Sequence, residues 1–418
     1  MKKIFGLLIS SENPAKPFFL QESLYEKISK SFDSFFIINL INFELKKKKG
    51  KNNNEYLKDI KLPHNFKIIT PTNEKELNKF LIDKKLIAFT GLAKSLNTFK
   101  IQFLIKKYNI RLIYLQNYTS IKRHYLGLDH LRSESAKGWL TSGHRYFFII
   151  LNKFTTYFLI KILILFNLFE RIDIYFESSQ TVVRNCNNSL ARKIEKIFPF
   201  LKICYFKKII HINNRSFNML TNSKSNLSEE KIVFIDGNID HGDAAIRVGK
   251  VSEESKLKYY NQLEQFLIKL SKIFNKKISI CLHPSTNMEK YKKYLGKFEI
   301  SKYQTSENIM KAFIVVFHES SAIYDALFLK KKIISLKSDV FDAFDNDRIE
   351  RYQKKLGLFS YSLGEKKELN KDLLQTSLEK ITKNYDHYIK TELTTDTFAP
   401  GEDKIINTLR EEYLTINT

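Results

Sequence analysis

Short, nearly continuous apolar runs alternate with segments of helical spacing along most of the chain. In the first half, the runs at Ile4–Ile9, Phe35–Ile41, Phe66–Ile69, Leu86–Phe89 and Arg111–Leu115 predict buried strands. Between them, Leu20–Phe32, Glu74–Ile82 and Thr98–Tyr108 carry helical periodicity, with Asn73 and Asn97 where N-caps belong. Lys46–Lys61, which contains KKKKGKNNN, reads as a polar surface loop. A strand at Asp173–Glu177, a helix at Leu190–Ile197 and a strand near Lys208–Ile212 follow. The Asn- and Ser-rich stretch Asn213–Glu230 has no periodicity and reads as an interdomain linker.

The second half repeats the alternation more cleanly. Strands are expected at Lys231–Asp236, Lys277–Leu282, Glu299–Lys302, Phe313–Phe317 and Lys332–Leu336. Helices are expected at Ser252–Phe274, Asn287–Leu295, Ser306–Ala312 and Ser320–Leu329, then near Asn370–Tyr388 and at Glu402–Tyr413. Alternation of this kind predicts parallel sheets covered by helices on both faces. The implied division is residues 1–212 as an N-terminal Rossmann-like domain and 213–230 as a linker. Residues 231–385 form a C-terminal Rossmann-like domain, and 386–418 supply helices that return to the first.

Between the halves the pattern breaks. Residues Thr119–His144 are polar and carry three histidines, and Tyr146–Phe169 is the most apolar stretch of the chain. That stretch is long enough to span a bilayer, but Asn152, Lys153, Lys161 and Asn167 interrupt it. A charge at the bilayer centre costs at least about 2.5 kcal/mol, so two lysines argue against a spanning helix. A core helix is the first reading and an interfacial helix the second. The opening MKKIFGLLIS has an apolar run too short for a signal peptide and reads as the first strand.

Composition narrows the class. A chain of 418 residues with 43% hydrophobic and 28% charged residues is globular and long enough for two domains. Its net charge is +25, from 70 basic and 45 acidic residues. Such a surplus points to anionic partners, although lysines spread along the whole chain account for much of it as solvated surface. Attraction to an anionic membrane surface fits the remainder. Nucleic-acid binding does not, because arginine and aromatic residues are not concentrated on one element. Cys186, Cys204 and Cys281 have neither disulfide-framework nor metal-site spacing, which suits a reducing cytoplasm.

Three polar clusters fall at strand ends of the second half, where open α/β sheets bind ligands. The first begins Asp236-Gly237-Asn238, with glycine allowing close backbone approach. The second is His283-Pro284-Ser285, in which a histidine and helix N-terminal amides can meet a phosphate. The third is Glu319-Ser320-Ser321, opening the next helix with hydroxyls and unpaired amides. Each alone also fits an ordinary turn, strand end or N-cap.

Together they carry a resemblance. His-Pro after a strand, followed by Ser-Ser opening SSxxxDALxxxKxxI, resembles bacterial GT-B glycosyltransferases of capsule and lipooligosaccharide synthesis. The sialyltransferases and polysialyltransferases that use CMP-sugars are the nearest likeness, and teichoic-acid glycerophosphotransferases share the serine-helix signature. The resemblance implies two Rossmann-like α/β domains facing each other across a cleft. It implies phosphate contacts from His283, Ser320 and Ser321, a glycan or glycolipid acceptor, no cofactor beyond the nucleotide-sugar donor, and work at the inner face of the membrane. The acidic-acidic-Gly motif those families carry in the N-terminal domain is absent before the linker. A general base is therefore sought among Asp129, His130, Glu134, His144 and Glu177, with Asp129 preferred. No DxD-type metal motif stands at a strand end, so metal-independent transfer is expected. A CDP-glycerol-type glycerophosphotransferase, a nucleotide-sugar epimerase and a catalytically degenerate glycan-binding protein are the alternatives.

Overall fold

Val-, Ile- and Phe-rich runs without polar alternation bury both faces of a strand, and such strands assemble in parallel beneath helices. The computed structural model describes residues 2–9, 22–31, 35–43, 66–90, 99–116, 162–164, 170–201, 204, 206–217, 230–237, 252–283, 286–318, 320–341, 343–365, 369–382, 385–395 and 399–414. They fall into two units. Among the described residues, 2–213 and 399–414 form the first, and 214–395 form the second.

The first unit is built on β1 (Lys2–Ile9), β2 (Phe35–Asn39), β3 (Phe66–Ile69), β4 (Lys84–Thr90), β5 (Arg111–Gln116), β6 (Ile172–Glu177) and β7 (Phe206–His211). They pair in the order β3-β2-β1-β4-β5-β6-β7, every pair parallel. Its described helices are α1 (Glu22–Ser31), α2 (Glu74–Leu81), α3 (Phe99–Lys107), α4 (Gln180–Asn187) and α5 (Leu190–Ile197). Alternate strand residues pack on α1 from one side and on α2 and α3 from the other. Asn73 caps α2, its side chain accepting from the Glu76 amide at 3.0 Å. The predicted strand Phe35–Ile41 stops at Asn39, where a 3₁₀ turn at Ile41–Phe43 begins. The Asn39 side chain accepts from the Ile41 amide and so favours the turn over the ladder. Of the apolar segment Tyr146–Phe169, only 162–164 are described, and there Ile164 is buried.

The second unit contains β8 (Lys231–Ile235), β9 (Lys277–Leu282), β10 (Glu299–Lys302), β11 (Ala312–Phe317), β12 (Lys332–Ser338) and β13 (Phe359–Leu363). Their order is β10-β9-β8-β11-β12-β13, again all parallel. Helices α6 (Glu253–Phe274), α7 (Met288–Leu295), α8 (Thr305–Met310), α9 (Ile323–Phe328), α10 (Ala343–Leu356), α11 (Lys371–Thr382) and α12 (Tyr385–Tyr388) accompany them. Residues of α6, α7 and α11 fill the core on one face of the sheet, and residues of α8, α9, α10 and α12 on the other. The order 3-2-1-4-5-6 is that of a doubly wound nucleotide-binding sheet.

Two findings bear on the boundaries read from the sequence. Residues 213–217, within the stretch read as a linker, are packed: Asn213, Asn214, Ser216 and Phe217 are all buried. The Asn214 side chain accepts from the Ser216 amide at 2.9 Å, and Phe217 meets Phe328 edge to face. The last helix, α13 (Gly401–Leu414), belongs to the first unit, where Ile405, Ile406 and Leu409 join the β1–β2 core. Lys27 of α1 pairs with Glu402 and Asp403 at its start. Gly401 lies so close to the Asn213 carbonyl that a Cβ there would collide with backbone.

Candidate functional site

In the second sheet the strand order reverses between β8 and β11, and a doubly wound sheet opens its ligand crevice at the carboxyl end of such a switch point. The residues that follow β8, β9 and β11 therefore line the same edge. Gly237 follows β8 and His283 follows β9, both exposed, while Ser320 and Ser321 follow β11, half-buried and exposed. Asn238, Pro284, Ser285 and Glu319 lie outside the described residues, as do the base candidates Asp129, His130, Glu134 and His144.

Beneath these groups is a polar floor. Phe317 of β11 is in register with Ile235 of β8, so the next residues, His318 and Asp236, sit level at adjoining strand ends. Both are buried. Alternation places His318 on the face of Ile314 and Val316, under α6. There it is ringed by Phe234, Tyr259 and Phe341 at 4.8–5.7 Å between ring centres. Nδ1 lies 2.9 Å from the Leu336 carbonyl oxygen and Nε2 lies 2.7 Å from the Tyr259 hydroxyl. A carbonyl can only accept, so Nδ1 carries the proton and Nε2 accepts from Tyr259. Burial lowers the histidine from its ordinary 6.5 to about 4, against the Leu336 bond that favours protonation. It is neutral at physiological pH.

Asp236 organises the second cluster. Its amide extends the β8–β9 ladder to the Cys281 carbonyl at 2.9 Å, and its carboxylate accepts from the buried Thr286 hydroxyl at 3.1 Å. Thr286 in turn closes a turn with its amide on the His283 carbonyl. The end of β8 thus holds the loop that carries His283, by a bond between residues fifty positions apart.

The serine cluster differs from its sequence reading. The helix begins at Ile323, not at Ser320, because the Ser320 hydroxyl accepts from the Ala322 amide at 3.2 Å and forms a local turn. Ala322, Ala326 and Leu329 share one side of this short helix. Ile323, Tyr324, Ala326, Leu327 and Phe328 are all buried, and Ala322 and Leu329 are only half-buried. The aspartate of the SSxxxDAL pattern, Asp325, does structural work. It accepts from the hydroxyls of Ser216 and Ser306, the latter at 2.6 Å, tying α9 to the start of the unit and to α8. Burial raises its pKa, opposed by these two hydroxyls.

In the first unit, Glu177 ends β6 and is buried. One carboxylate oxygen accepts from the Tyr175 hydroxyl and the other from the Ser179 amide at 2.9 Å. Burial, then the neighbouring Glu177 charge, push the Tyr175 phenol far up. The arrangement fixes the β6–α4 turn, with Ser179 capping α4. Among the described residues, no group of three or more His, Cys, Asp or Glu could hold a metal ion. No described helix is long and apolar enough to cross a membrane.

No protein-family model matches the chain, and no curated protein matches it by sequence. Solved structures do. The wall teichoic acid polymerase TagF is similar over 99% of this chain and 90% of its own, at 12% identity and a TM-score of 0.50. A UDP-glucose:anthocyanidin 3-O-glucosyltransferase solved with UDP covers 98% of this chain and 99% of its own, at 12% identity and a TM-score of 0.49. The UDP-GlcNAc 2-epimerase of Methanocaldococcus jannaschii covers 98% and 99%, at 12% identity and 0.47. At such identity the likeness to TagF is one of fold: two parallel α/β sheets in one chain.

Proposed function

We propose that this chain is a glycosyltransferase whose nucleotide-activated donor binds at the carboxyl edge of the second sheet. The observation that supports it is the meeting of three polar strand ends, at Asp236-Gly237, His283 and Ser320-Ser321, at the switch point of a 3-2-1-4-5-6 sheet. The donor is a CMP-linked sugar such as a sialic or related ulosonic acid, on the strength of the motif resemblance, and the acceptor is a cell-surface glycan. The acceptor hydroxyl gives its proton to a base, with Asp129 the expected one, as its oxygen bonds to the anomeric carbon. The bond from that carbon to the phosphate oxygen breaks, and the nucleotide leaves with the electron pair. His283 and the serine turn meet the charge that develops on that oxygen. His318 does not, since its ring nitrogens are both committed to Leu336 and Tyr259.

Turnover assays with CMP-sialic acid, CDP-glycerol and UDP-GlcNAc separate this reading from others on the same fold. Nucleotide release from the CMP-sugar that depends on added glycan is the expected result, and it should persist in excess EDTA because transfer needs no metal. Release from CDP-glycerol instead would make the chain a glycerophosphotransferase. Epimerisation of the UDP-sugar without acceptor would make it an epimerase. Inhibition by EDTA, reversed by a divalent ion, would overturn metal independence alone.

A further inference from the structure

Helix α5 is mounted with its apolar side outward. At about 100° per residue, Leu190, Ile194 and Ile197 fall within roughly 60° of arc. Both ends of that stripe face solvent, Leu190 at 73% exposed and Ile197 at 69%, with Ile194 half-buried between them. Phe198 and Phe200 extend it through the following turn, with Phe200 74% exposed, and no residue of α5 is buried. The inward contacts come instead from the polar side. Glu195, on the opposite arc, has a side chain only 11% exposed and lies 3.2 Å from the Arg171 guanidinium and 3.4 Å from that of Arg192. It also accepts from the Cys204 amide at 2.8 Å, and Arg192 donates to the Lys207 carbonyl at 2.7 Å. A helix attached to its domain through a half-buried ion pair while four large apolar side chains stand in water needs another surface to meet them.

The charge around the stripe selects that surface. Between residues 180 and 201 the basic residues are Arg184, Arg192, Lys193 and Lys196, and the only acid is Glu195, which two arginines neutralise. Lys193 and Lys196 are exposed and flank the apolar arc on one side. Apolar side chains bordered by lysines on a short helix match the acyl–headgroup boundary of an anionic bilayer. We propose that α5 and the Phe198-Pro199-Phe200 turn are a membrane-docking surface for anionic lipid. Leu190, Ile197 and Phe200 enter the interface, and Lys193 and Lys196 meet lipid phosphates. The proposal is independent of the donor site, which lies in the other unit.

The test is flotation of the full chain with phosphatidylcholine vesicles, with and without phosphatidylglycerol, at low and high salt. Binding to the anionic vesicles is expected, and the triple change Leu190→Ser, Ile197→Ser, Phe200→Ser should weaken it by about tenfold or more. All three side chains are exposed, so the thermal unfolding curve should stay in place. In a second readout, Phe200→Trp is made in a Trp139→Phe chain, which removes the only native tryptophan. Its emission should shift blue on anionic vesicles and be quenched by brominated acyl chains. Equal binding by the triple variant would mean that diffuse positive charge alone attracts the protein, and the proposal would fall. It would fall equally if the triple variant changed the sedimenting mass without changing vesicle binding, since the stripe would then be a contact between copies.

Discussion

Replacing His283 with alanine is expected to reduce kcat/KM for transfer by about 10²–10³-fold, near 3–4 kcal/mol, the loss typical of removing one donor aimed at developing charge. The side chain is exposed at the end of β9. Unfolding free energy should therefore stay within about 0.5 kcal/mol of the parent, the range of ordinary surface changes. That separation of activity from stability is what distinguishes a phosphate contact from a strand-end cap. A histidine that merely caps the strand would show the reverse, with a stability loss and normal turnover per folded molecule. Steady-state kinetics and urea unfolding on the same preparations decide it.

The largest effect on stability is expected at His318. Alanine there leaves a gap among Phe234, Tyr259 and Phe341 and strands the Leu336 carbonyl and the Tyr259 hydroxyl, both in the interior. Cavity and lost hydrogen bonds together should cost about 3–5 kcal/mol. The pH dependence gives an independent sign. The folded value near 4 lies below the ordinary 6.5, so on acidification the unfolded chain takes up a proton that the native state refuses. This contribution is fully present above 6.5 and is lost as pH falls towards 4, amounting to about 3 kcal/mol at 1.36 kcal/mol per unit. His318→Gln can still donate to Leu336 and accept from Tyr259 but does not titrate. Its unfolding free energy should lack that slope, and an unchanged slope between pH 6.5 and 4 would show that His318 is protonated in the native state.

The contrast between these histidines shows what the sequence carries and what it does not. The position of His283 was legible because β9, KISICL, is a mostly apolar strand that stops just before it, and the predicted strand Lys277–Leu282 matches the observed one residue for residue. The parity of β11 also puts His318 on the face of Ile314 and Val316, which could have marked it as buried. Its partner Tyr259 is 59 residues away on another element, and no local pattern pairs them. The same holds for Asp236 and Thr286. Elements without a strong apolar signature were missed altogether. Helix α10 buries only Ile349, Gln353 and Leu356 among its described side chains, and β13 is a Ser-interrupted edge strand, FSYSL. At α5 the periodicity gave the helix at its observed bounds. Periodicity cannot say which face turns inward, and there the face that turns in is the one carrying Glu195.

Ligand-observed saturation-transfer NMR with CMP, CDP, UDP and GDP, run on the wild-type chain and on His283→Ala, bears most directly on the nucleotide site proposed at the switch point. Transfer to CMP that weakens in the variant is the expected outcome. Transfer to none of the four, or transfer untouched by the loss of His283, would contradict it.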